Sequence, residues 1–177
     1  MKFTSIITAA VCAFALCACE DETEGKTPQE IYDAAVEAEQ AGRPNAAYDL
    51  YMKSAEQGYA VAQYAVGAFY FQGDHVSKDL SKALEWFTKA AEQGFAPAQF
   101  SVGMRHLYGE GTPEDAAKAV EWLTKAAEQG YHHAQFNLGM CYCFGKGVEK
   151  DAEKGKEWLQ KAAEQGNPDA RKALERL

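Results

Sequence analysis

The chain has 177 residues, 47% of them hydrophobic, and a mean hydropathy of −0.42. That is enough apolar surface to fold, which excludes whole-chain disorder, and too little length for a two-lobed enzyme. Eighteen basic residues against 26 acidic ones give a net charge of −8, which excludes the basic footprint that nucleic-acid binding requires.

In chain order the first element is an address. Residues 3–19 carry no charge, follow Lys2, and run into the acidic stretch 20–24. A positive start, a short apolar run and a small-residue exit predict a signal peptide over 1–18, followed by an acidic flexible linker over 19–26. The run falls short of the ~20 apolar residues that a spanning helix needs. Leu16-Cys17-Ala18-Cys19 resembles the bacterial lipobox, with Leu16, Ala18 and Cys19 in the matching places and Cys17 where Ala, Ser or Thr is commoner. The resemblance implies lipid attachment at Cys19 and an exported chain on the periplasmic side of a bacterial membrane. The alternative is an ordinary secretory signal, cut after Ala15 or Ala18, with soluble release. Beyond the signal only Cys141 and Cys143 remain, too few for a disulfide framework.

The rest of the chain keeps a ruler. Ala-Glu-Gln-Gly occurs at 55–58, 91–94, 127–130 and 163–166, steps of 36 residues, and Trp86, Trp122 and Trp158 keep the same beat. A fixed period of this size predicts stacked helix pairs, each unable to bury its apolar face alone. Residues 27–61 read as a degenerate first repeat, 62–97, 98–133 and 134–169 as full repeats, and 168–177 as a polar capping helix. In the middle repeat, Ala98, Val102, Gly103 and His106 share one face of a first helix that Gly109 and Gly111 terminate. A second helix is predicted from about Pro113 to Gln129, with Thr112, Pro113 and Asp115 at its start and Gly130 at its end. Its apolar stripe is Ala119, Trp122, Leu123 and Ala126, and Glu121/Lys125 read as an i, i+4 pair on a solvated face.

These residues resemble the SEL-one-like repeat, a branch of the tetratricopeptide superfamily. The best copy is 134–166, matching at Ala134, Leu138, Gly139, Tyr142, Gly145, Gly147, Val148, Asp151, Lys154, Trp158, Lys161 and Ala162. It departs at Gly155, where Ala is usual; His75 replaces a turn glycine and His106 a Tyr in the other copies. The resemblance implies an all-α, right-handed α-α superhelical solenoid with a C-terminal capping helix. Penicillin binding, reported for cysteine-rich relatives, does not carry over, because the disulfide spacing is missing.

No catalytic signature is present: no phosphate loop, no nucleophile elbow, no H-E-x-x-H. His132, His133, Cys141 and Cys143 make a poor metal set. His133 and Cys141 stand about 12 Å apart along one helix at 1.5 Å per residue, and two partly buried thiols with two exposed loop histidines are the expected arrangement. No cofactor and no small-molecule substrate are expected. The candidate site is instead a surface. A second apolar set on each first helix comprises Tyr64, Ala68 and Phe71; Phe100, Met104 and Leu107; Phe136, Met140 and Cys143. In the superfamily this side lines a concave groove for peptides, so the set either lines that groove or packs against the next first helix. Asn137 stands where related clamps place a ligand-binding Asn, and Arg105 is expected exposed, either adding one charge or staying solvated. The expected function is a non-enzymatic protein-binding scaffold of the cell envelope with a protein or peptide partner. The alternatives are an enzyme or accessory acting on cell-wall material, and an inhibitor or immunity-type binder.

Overall fold

The computed structural model describes residues 23–177, so the readings on 1–18, on Cys19 and on the start of the linker lie outside the described residues. The chain over 23–25 makes a turn, with Lys26 N–H donating to the Thr23 carbonyl at 3.1 Å, and leads straight into the first helix cap. Nine helices follow, with no strand among the described residues: α1 (Pro28–Gln40), α2 (Pro44–Glu56), α3 (Ala60–Gln72), α4 (Leu80–Glu92), α5 (Ala96–Tyr108), α6 (Ala116–Glu128), α7 (His132–Phe144), α8 (Ala152–Glu164) and α9 (Pro168–Leu174). Each helix packs on its sequence neighbours, within a pair and from pair to pair. This is the all-α superhelical repeat fold expected.

Local chemistry sets the joints. The first helices α3, α5 and α7 begin on an extended aromatic residue, Tyr59, Phe95 or Tyr131, and end on Gly73, Gly109 or Gly145 in the left-handed region. They therefore start two residues earlier than the repeat boundaries at 62, 98 and 134. The second helices α4, α6 and α8 are capped by Asp79, Asp115 and Asp151, whose carboxylates accept from the backbone N–H three residues on at 2.9–3.0 Å. The expected start near Thr112 and Pro113 is thus corrected. Asp115 N–H is held by the His106 carbonyl at 2.8 Å, so 112 and 113 stay in the connecting turn and the carboxylate alone caps.

The core is small-residue layering. Ala98, Val102, Ala119, Leu123 and Ala126 are at most 1% exposed. A Cβ on Gly103 would stand 2.9 Å from Leu123 Cγ, so glycine sets the spacing of α5 against α6. Gly111 (φ +77°) tucks against the Leu80 backbone of the preceding pair. Its counterpart His75 takes φ +60° as a non-glycine, and its ring packs edge-on to Phe69 at 5.1 Å. Gly155 has its own reason: a Cβ there would run into Cys143 Sγ, so the thiol occupies the space that an alanine fills elsewhere.

Two features replace the expected surface pairing. Lys89, Lys125 and Lys161 lie over Trp86, Trp122 and Trp158 at 3.9, 4.0 and 4.1 Å from the ring centroids, one turn back, rather than toward the glutamates at i−4. The indole thus holds the ammonium while its ring packs on the preceding layer. The second feature is a glutamine relay. Buried Gln63, Gln99 and Gln135 donate to the carbonyls of Ala55, Ala91 and Ala127 at 3.1 Å. Their own side-chain oxygens accept from Gln93, Gln129 and Gln165 at 2.7 Å. Each relay ties three consecutive helices through one buried amide, which accounts for the motif glutamine in the last three Ala-Glu-Gln-Gly copies, Gln93, Gln129 and Gln165.

Candidate functional site

The first helices α3, α5 and α7 stand side by side, joined at both ends. Phe100 near the start of α5 meets Tyr131 and His133 at 5.4 and 5.9 Å between centroids. Lys146, just past α7, donates to the Leu107 carbonyl at 3.2 Å, pairs with Glu114 at 3.3 Å and lies over Tyr108 at 5.4 Å. Arg105 of α5 lies over Phe71 of α3 at 4.1 Å.

Burial divides α5 sharply. At 100° per residue, Phe100, Met104, Tyr108, Ser101 and Arg105 fall within an arc of about 140°. All of them are half-buried or exposed, whereas Ala98, Gln99, Val102, Gly103, His106 and Leu107 around the rest of the helix are buried. The same arc on α7 holds half-buried Phe136, Met140 and Asn137 and exposed Phe144; on α3 it holds half-buried Tyr64, Ala68 and Ala65. Phe100 and Met104 lean on the layer that includes Ala134 and Leu138, while Phe136 and Met140 lean on the layer of α8 and α9. The apolar stripe is therefore half seam and half surface.

Several expected groove residues change place. Leu107 and Cys143, at 5% and 4% exposure, belong to the core. Phe71 is half-covered, with Arg105 and Lys78 over its ring. Asn137 spends its side-chain N–H on the His133 carbonyl of its own helix at 2.8 Å. Arg105 is not freely exposed. Its side chain is 14% accessible, and Nε stands 2.8 Å from a Glu110 oxygen, at ion-pair distance but without hydrogen-bond alignment. Burial lowers its pKa, and the Glu110 carboxylate opposes that shift. Two residues escaped the sequence reading: Tyr108 and Phe144 are 59% and 66% exposed. Each lies four residues beyond a methionine of the stripe, and that spacing was the available signal.

The remaining titratable groups do not converge. Cys141 and Cys143 are free and buried, and burial raises both thiols. His132 and His133 lie in the first turn of α7, their ring centroids 4.0 Å apart, and His132 Nδ1 stands 3.4 Å from the Asn167 side-chain nitrogen. Burial, and then His132, lower the His133 pKa. His106 is buried with no partner for Nδ1 among the described residues; burial first, then Lys118, lowers its pKa. Among the described residues no group of three or more His, Cys, Asp or Glu is placed to hold a metal ion. No described helix is long and apolar enough to cross a membrane.

The comparisons with known proteins agree with this geometry. A Sel1 repeat protein from Oxalobacter formigenes superposes with a TM-score of 0.79 at 35% identity, over 87% of this chain and 46% of its own. A protective antigen of uropathogenic Escherichia coli displaying an SLR fold gives 0.80 at 34% identity, over 85% of this chain and 33% of its own. The chain thus spans about half and about a third of the lengths of these two relatives. Helicobacter pylori cysteine rich protein B shares the fold, at a TM-score of 0.56 and 20% identity over 85% of this chain and 98% of its own. No curated protein matches the chain. The Sel1 repeat is a scaffold of a type typical of protein binding. Its profile matches residues 43–59, 60–95, 96–131 and 132–167, in register with the helix pairs and well over half of the sequence, so the chain belongs to the Sel1 repeat family.

Proposed function

We propose that the chain is a non-enzymatic binding scaffold of the bacterial envelope, exported by its N-terminal segment, anchored through a lipid on Cys19, and recognising a protein or peptide on the face formed by α3, α5 and α7. One observation carries the recognition reading: the half-buried apolar stripe runs in register across successive first helices, ending in exposed Tyr108 and Phe144. A stripe whose inner edge is fixed by packing presents rigid, adaptable anchors, aromatic and Met, without exposing a collapsed core. The signal-like stretch 1–18 and the lipobox-like 16–19 support the address.

A photo-reactive side chain placed at Met104 or Met140 tests the face. It is expected to capture a partner in cells, whereas the same group at Glu121, on the exposed side of α6, captures none. Equal capture from both sides removes this reading. Mass spectrometry of the mature N terminus tests the anchor, since an unmodified soluble product rejects it. A second reading, an acidic binder of inhibitor type, is favoured by α1, which holds Glu30, Asp33, Glu37 and Glu39 and no base. Association that collapses with added salt and ignores the Met104 face would favour it.

A further inference from the structure

Asn167 closes the last joint of the stack with a contact that the other joints lack. At steps of 36 residues it stands where Tyr59, Phe95 and Tyr131 begin the earlier first helices. Those rings pack on Tyr32, Tyr64 and Phe100 at 5.4–5.5 Å between centroids, contacts indifferent to protons near neutral pH. Asn167 is polar and 3% exposed. Its side-chain oxygen accepts from Asp169 N–H and Ala170 N–H, both at 3.0 Å, and so caps α9.

That cap fixes the amide. With the oxygen spent, the nitrogen is the atom that stands 3.4 Å from His132 Nδ1. An amide nitrogen only donates, so Nδ1 accepts, and His132 is held as the neutral ring with its proton on Nε2. A proton added at Nδ1 sets donor against donor. The His133 ring adds to the cost, because its centroid lies 4.0 Å from that of His132, too close for two imidazoliums. Burial first, then His132, lowers the His133 pKa.

No countercharge offsets this. Of the elements that meet there, α5 brings Phe100 and no charge, α6 ends in Glu128, α8 brings Lys161 and Glu164, and α9 brings Asp169 and Lys172. Lys161 lies over Trp158, Glu164 accepts from Gln160 at 3.1 Å, and Asp169 pairs with Lys172 at 3.8 Å. Among the described residues no carboxylate forms an ion pair with either histidine. Tyr131, 6.0 and 5.4 Å from the two rings, has its pKa raised by burial and stays neutral.

We propose that the His132–Asn167 contact is an acid-sensitive latch on α9: a proton taken up there breaks it, and α9 lifts from the layer it covers. Ala170, Ala173 and Leu174 pack on the layer of Leu159, Ala162 and Cys143, to which Phe136 and Met140 also belong, so release bares an apolar end of the stack. The closed joint excludes the proton and the open one accepts it. The latch therefore holds above the ordinary imidazole range, at about pH 6.5, and lets go as the pH falls through it. It stands independently of the binding face.

Hydrogen exchange of the mature chain, followed by NMR and corrected for the chemical exchange rate, tests the latch. Protection of the Asp169 and Ala170 amides is expected to fall about tenfold between pH 7.5 and 5.5, the response to one proton on an imidazole released at about pH 6.5. His132→Ala, which installs the residue found at Ala60 and Ala96, flattens the response. Asn167→Asp keeps the capping oxygen but offers His132 an acceptor, so protection there rises as the pH falls. Constant protection of both amides in the parent overturns the latch. So does a loss that survives His132→Ala, or an Asn167→Asp chain that responds as the parent does.

Discussion

Replacing Gln99 with glutamate changes one atom of the buried relay, an N–H donor for an oxygen. Gln99 is 5% exposed, donates to the Ala91 carbonyl at 3.1 Å and accepts from Gln129 at 2.7 Å. The Ala91 carbonyl also accepts from Gly94 N–H at 3.0 Å. An apolar Gln99→Met therefore orphans little and costs about 1–2 kcal/mol at any pH. In Gln99→Glu the ionised side chain would face that carbonyl acceptor to acceptor in a nearly dry site. Burial and the missing donor both raise the folded-state pKa of the substituted carboxyl above its unfolded value of about 4.3. A rise of about two units corresponds to roughly 2.7 kcal/mol. The sign follows from proton uptake: below the unfolded pKa the carboxyl is protonated in both states and can donate to Ala91, so the ionisation penalty is absent. Above it, the penalty grows by about 1.4 kcal/mol per pH unit until the folded pKa is passed. Urea midpoints at pH 4 to 8 for the parent, Gln99→Met and Gln99→Glu chains read this directly, with unchanged slopes confirming the same transition. A Gln99→Glu deficit that stays constant from pH 4 to 8 would refute a donor role in a dry site.

His106→Tyr is expected to stabilise the middle repeat by about 0.5–1 kcal/mol, because Tyr142 and Tyr70 at the matching positions hold Lys154 and Lys82 over their rings at 4.4 and 5.4 Å, whereas His106 leaves a buried nitrogen unpaired. The parent chain should also lose stability as pH falls below about 6.5, since the depressed pKa keeps folded His106 neutral while the unfolded chain takes the proton. His106→Tyr should flatten that slope in urea titrations between pH 7 and 5. Gly111→Ala should cost about 3 kcal/mol or more by thermal or urea unfolding, because the residue holds φ +77° and its Cβ would stand 2.6 Å from Leu80 C. Gly130→Ala, at φ +87° with nothing within 4 Å, should cost about 1 kcal/mol. Gly155→Ala should cost about 1–3 kcal/mol, and Cys143→Ala in the same chain should recover part of it by vacating the space.

Much of the architecture is written in period and glycine placement. The 36-residue beat, the Gly109 stop and the Gly130 end locate the helix pairs because positive φ and close approach leave few alternatives. What the residues do not display is azimuth. Leu107 and Met104 look alike in a helical stripe, yet one is core and the other half open, since the neighbouring helix covers just one edge. Arg105 reads as a surface charge until Phe71, 34 positions earlier, is brought beneath it. The bonds of Gln93, Gln129 and Gln165 leave no local pattern, because their partners lie 30 positions away. Asp115 wins the cap over Thr112 because its backbone N–H donates to the His106 carbonyl.

The amide chains have an architectural consequence of their own. Every junction between consecutive modules is closed by the same three partners at the same distances, so an inserted copy of residues 96–131 would present matching plugs and sockets at both faces. Lengthening the spiral by whole modules then requires no bespoke joint, and a fractional insertion would misalign every lock downstream of it.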